Sequence, residues 1–89
     1  MEECREKLEE AIEAFNDSMA GLYYAELLRL SGREAEVALY EGDCPSCSLD
    51  EAIVALIREI EAAGLEAEIV GETRAPGGER ILRVRLLPD

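Results

Sequence analysis

The spacing of apolar residues switches between three-or-four and two along this chain, and that switching confines it to a mixed helix and strand architecture. Over residues 2–30, Leu8, Ile12, Phe15, Met19, Leu22, Tyr23 and Leu27 fall mostly three or four apart, the mark of one buried helical stripe. Residues 34–41 alternate instead, with Ala35, Val37 and Leu39 on one face and Glu34 and Glu36 on the other, as a strand does. Helical spacing returns at Leu49, Ile53, Leu56, Ile57 and Ile60, and Gly64 closes it. Leu65, Ala67 and Ile69 then alternate with Glu66 and Glu68. After a turn at Pro76-Gly77-Gly78, Leu82, Val84 and Leu86 alternate with Arg83 and Arg85 over residues 80–87. The expected fold is α+β, in the order α-β-α-β-β, with both helices on one face of a three-stranded mixed sheet.

Local signals refine the elements. Glu2, Glu3 and Glu6 suit the positive end of a helix dipole, and Ser31-Gly32 reads as that helix's stop. Ser48-Leu49-Asp50-Glu51 has capping-box spacing, with Ser48 as the cap of the second helix. The first helix is too long for the domain: roughly 29 residues at ~1.5 Å each exceed ~40 Å. Asn16-Asp17-Ser18, followed by Gly21, offers a break. A kink is expected there, or an amino half that projects and packs on a second copy as a homodimer.

Strand order follows from outward charges. The first two strands present glutamates and the third presents arginines, and opposite charges favour neighbouring strands. The third strand therefore belongs in the middle, giving the order 1-3-2, with the last two strands joined as a hairpin.

Eighty-nine residues make one domain, 1–89, and no repeat, linker or low-complexity segment divides it. With no Trp and one Phe, aliphatic packing must supply the core. The net charge of −12, from 21 acids against 9 bases, argues against binding nucleic acid or an anionic membrane surface. The longest purely apolar run, Ala52 to Ile57, is far short of the ~20 residues that span a bilayer. Met-Glu-Glu opens the chain without a basic or hydrophobic leader, so a cytoplasmic location is expected. Three cysteines, an odd number, fit a reducing compartment better than a disulfide framework. Eight Arg against one Lys, with neither Gln nor His, suits a thermophile or a computed design.

Chemistry concentrates in Cys44-Pro45-Ser46-Cys47, placed where a strand hands over to a helix. Backbone N–H groups and the helix amino end favour the thiolate there. Such a pair exchanges disulfides or binds a soft metal such as zinc or iron. A tetrahedral metal site wants four ligands, and Cys4 is expected to lie too far away along the first helix. Asp43, or a second cysteine pair across a dimer, would complete the set. The structural alternative is that Cys44 and Cys47 fill a tight turn while Cys4 acts as a small apolar residue.

Residues 37–69, with their strand, Cys44-Pro45-Ser46-Cys47 and helix, resemble the start of a glutaredoxin or thioredoxin-like domain. The resemblance implies Cys44 as attacking thiolate and Cys47 as resolving thiol. It also implies a cis-proline beside them, for which Pro76 is the candidate. The order of strand, cysteine-bearing turn, helix and hairpin is also similar to the carboxy-terminal half of vinyl-reductase-type small-molecule-binding domains.

Other features read more plainly. One of Tyr23 and Tyr24 should pack in the core with its hydroxyl at the boundary. Glu2, Glu3, Glu6, Glu9, Glu10 and Glu13 form a solvated face or a docking surface for a basic partner. Without histidine there is no Ser/His/Asp or Cys/His arrangement. Two functions follow: a dithiol acting in redox or metal binding through Cys44 and Cys47, or a non-enzymatic interaction module or scaffold, dimeric through the first helix.

Overall fold

The computed structural model describes residues 2–42 and 49–87. It has two helices and four strands: α1 (Glu2–Ser18), β1 (Tyr23–Ser31), β2 (Glu34–Glu41), α2 (Leu49–Ala62), β3 (Glu66–Arg74) and β4 (Arg80–Leu87). The sheet order is β1-β2-β4-β3, and every neighbouring pair is antiparallel. A helix followed by an antiparallel hairpin therefore occurs twice, and the second strands of the two units meet at the centre.

This corrects the expected three-stranded mixed sheet of order 1-3-2. The error lies in residues 23–31, which continue no helix. The chain turns after Ser18, with Gly21 at a φ of 85° that favours glycine, and returns as an edge strand. The misreading arises because small Ala25 leaves Tyr23 and Leu27 as large inward residues four apart, and a β-bulge then adds a spacing of three. Tyr23 and Ala25 face inward by strand alternation, but the register slips between Leu27 and Arg29, so Leu28 is an extra residue and Leu30 faces inward. Inward positions 23, 27 and 30 are thereby spaced four and three apart, which imitates a helix. Ser31-Gly32, expected as a helix stop, begins the hairpin between β1 and β2 instead. Gly32 has a φ of 61° as the first of two loop residues, as a primed turn requires.

β4 lies between β2 and β3, where Arg85 reaches Glu34 at 3.9 Å and Glu68 at 3.7 Å. Both helices cover the other face. Leu8, Ile12 and Phe15 of α1 and Ala52, Leu56 and Ile60 of α2 close over Val37, Leu39, Leu82 and Val84. No polar or charged side chain is buried among the described residues. The core is aliphatic but for Phe15 and Tyr23.

The corrected α1 has 17 residues. At ~1.5 Å each this is about 25 Å, so no half projects and the length argument for a dimer through α1 disappears. Phe15, which such a dimer would expose, is 0% exposed within the core.

Candidate functional site

The Cys44-Pro45-Ser46-Cys47 motif, Asp43 and the expected cap Ser48 lie outside the described residues. Their points of attachment are described: Gly42 after β2 and Leu49 at the start of α2. Four chain segments converge there.

Gly42 anchors the departure from β2. Its N–H donates to the carbonyl of Leu22 at 2.8 Å, holding the end of β2 against the turn between α1 and β1. A side chain at this position would collide with the backbone carbonyl of Gly21, so the two passes of chain approach this closely only with glycine. Gly42→Ala is expected to cost about 1–3 kcal/mol through overpacking against rigid backbone. A urea melt checks this, and an unchanged midpoint would show that the turn yields freely.

The third segment is the β3–β4 turn. Gly77, Gly78 and Glu79 face Tyr40, Glu41 and Gly42 across a cleft of about 320 Å³. The fourth is the first turn of α2, which carries Asp50 and Glu51. Asp50 is tied in by Arg80, whose guanidinium donates to Asp50 Oδ1 at 3.3 Å and to Glu72 Oε1 at 2.9 Å.

The field at this end is negative. Burial, then Glu51 and Glu41, push the Tyr23 hydroxyl above its ordinary pKa. Burial, then Glu26 and Glu79, do the same for Tyr40, whose hydroxyl also donates to the Glu26 carboxylate. Tyr23 is the buried member of the expected pair, at 5% exposed, and Tyr24 the exposed one at 51%. Both stand on a strand rather than a helix. The Tyr24 and Tyr40 rings lie 5.9 Å apart on the uncovered face of the sheet.

Cys4 is half-buried against the core near the start of α1 and is a free thiol. Lys7, one turn on, has its Nζ 3.7 Å from where a side chain at Gly64 would begin. The start of α1 thus lies beside the end of α2, about 20 Å along that helix from its first turn. Cys4 is remote from the point where the motif attaches. Among the described residues no group of three or more Cys, Asp or Glu side chains is arranged to hold a metal ion. No cis peptide occurs among them either, Pro76 included. No described helix is long and apolar enough to cross a membrane.

Asn16 carries a structural role that periodicity does not disclose. Its carboxamide donates to the Ala25 carbonyl at 2.9 Å and accepts from the Ala25 N–H at 2.7 Å, which occupies part of the open edge of β1. Its spacing of four from Ile12 was the available signal, since it places an amide on the buried stripe.

The class defined is a two-layer α+β domain of two helix-hairpin units, with a cysteine pair attached at its acidic end. Comparison of the chain with protein-family models, curated proteins and solved structures finds no match.

Proposed function

We propose that Cys44 and Cys47 bind a soft divalent metal ion, zinc or iron, through their thiolates. The observation that carries this reading is the carboxylate field around their attachment points, made by Glu41, Glu51 and Glu79. Nearby anions disfavour a free thiolate, which a nucleophilic cysteine needs, and they favour a bound cation. The Cys-x-x-Cys spacing supplies two ligands of a tetrahedral set. Carboxylates such as Asp43, or the cysteine pair of a second chain, are the sources of the others.

The test is a titration of reduced protein with cobalt(II), followed by its thiolate charge-transfer absorption, with zinc in competition. Saturation at one ion per chain means that carboxylates complete the site, and one ion per two chains means that two cysteine pairs share it. Cys47→Ser should abolish the band, and Cys4→Ser should leave it intact. Absence of the band in the parent protein would overturn the reading. Reversible loss of two thiols across a glutathione series, without metal uptake, would assign disulfide exchange to the same pair.

A further inference from the structure

The uncovered face of the sheet has a charge order complementary to itself. Both helices pack on one face, so the opposite side chains of all four strands face outward. β2 presents a column of Glu34 and Glu36, and β4 beside it presents Arg85 and Arg83, paired row by row. The next row is apolar, Ala38 beside Ile81. Ala38 is 1% exposed although it stands outside the core cluster, so its neighbours on the open face already enclose it.

We propose that this face is the interface of a homodimer, packed sheet on sheet. A two-fold axis in the face, parallel to the strands and between β2 and β4, sets each copy's β2 over the other's β4. Rows are preserved by such an axis. Glu34 then meets Arg85 of the second copy, and Glu36 meets Arg83 of the second copy. At the margins β1 lies over β3, where Ser31 meets Glu68 and Arg29 meets Gly71. Between β2 and β4 no like charges are opposed, and at the margin Arg29 comes over Gly71, which the Arg83 guanidinium covers.

Two observations select a second copy as the occupant. Among the described residues Arg83 makes no ion pair, and the pairs of Arg85 are long, at 3.9 and 3.7 Å. Both guanidiniums therefore have capacity for a carboxylate from above. Next, the helices carry eleven acids against three bases, so copies repel through the helical layer and not through this one. A patch of four strands ~4.8 Å apart and about six residues of ~3.3 Å long covers roughly 380 Å² per copy, ~760 Å² in total, which is smaller than a standard stable interface. The dimer is accordingly reversible.

Sedimentation of the reduced, metal-free chain over a range of concentrations tests this, and that choice separates it from the dithiol reading. The parent should dimerise as concentration rises. Arg83→Glu puts two acids in the row of Glu36, and Glu36→Arg puts two bases in the row of Arg83, so each sets like charges face to face across the axis. Each alone should weaken association by roughly tenfold or more. Both residues lie outside the core, so circular dichroism should match the parent. Mixing the two variants should restore a heterodimer, because the acidic row of one then faces the basic row of the other. Pairing within a single chain predicts no recovery on mixing. A parent that stays monomeric throughout, a dimer indifferent to both variants, or a mixture that remains monomeric would each overturn the proposal.

Discussion

Phe15→Asp is expected to unfold the protein. Phe15 is 0% exposed and stands between both helices and the sheet in an otherwise aliphatic core. Removing a buried phenyl ring costs about 3–5 kcal/mol, before the carboxylate is considered. Burying that carboxylate adds several kcal/mol more, since no polar side chain is buried nearby to pair with it. A domain of this size has a total stability of roughly 4–13 kcal/mol. The two costs together consume most or all of it. Far-UV circular dichroism should show the loss of helix and strand at neutral pH. Phe15→Leu should stay folded at a cost nearer ~1–2 kcal/mol, and its sedimentation should match the parent. A Phe15→Asp variant that folds and changes only its association would return Phe15 to a surface role.

The same burial of Phe15 removes the surface expected of a long first helix, and the difference shows what the sequence discloses. α2, β2 and β4 are legible because each keeps one period from end to end: Ala52, Leu56 and Ile60 at helical spacing, Val37 and Leu39 or Leu82, Val84 and Leu86 at two. β1 is hidden because Tyr23 and Leu27 stand four apart across small Ala25, and because the bulge at Leu28 then breaks its alternation. A bulge adds one residue, and one added residue converts a spacing of two into three. Gly21, Gly32 and the polar run Asn16-Asp17-Ser18 all marked real boundaries. They are equally consistent with a kinked helix and with a turn into a strand, and only the pairing of β1 with β2 decides between them. The charge argument for β4 depends on outward residues alone, and β4 does lie between β2 and β3.

At the candidate site, the sequence discloses the dithiol and not its surroundings. Glu41, Asp50, Glu51 and Glu79 are four of 21 acids and look like any others along the chain. They are gathered by the end of β2, the first turn of α2 and the β3–β4 turn meeting at one end of the sheet. Glu41, Asp50 and Glu51 flank the motif along the chain, and Glu79 joins them because β4 pairs beside β2. The proposal of a bound cation rests on that gathering.

Asn16→Ala should destabilise the protein by about 2–4 kcal/mol, a large effect for a partly exposed polar residue. The carboxamide of Asn16 satisfies both the N–H and the carbonyl of Ala25, an amide at the sheet edge whose own residue is 1% exposed. An edge strand presents unpaired groups of this kind to any passing chain, and occupying them with a side chain is one way to blunt the edge. Removing the carboxamide leaves two main-chain groups without partners in a space that excludes most water, at about 1–3 kcal/mol each when unsatisfied. The urea midpoint should fall while the slope of the transition stays the same, since the surface exposed on unfolding hardly changes. Amide exchange at Ala25 should accelerate more than at Val37, which pairs within the sheet between β1 and β4. A loss below ~0.5 kcal/mol with unaltered exchange at Ala25 would mean that water serves this edge as well as Asn16 does. With Asn16 in place, part of the β1 edge is closed by the chain itself.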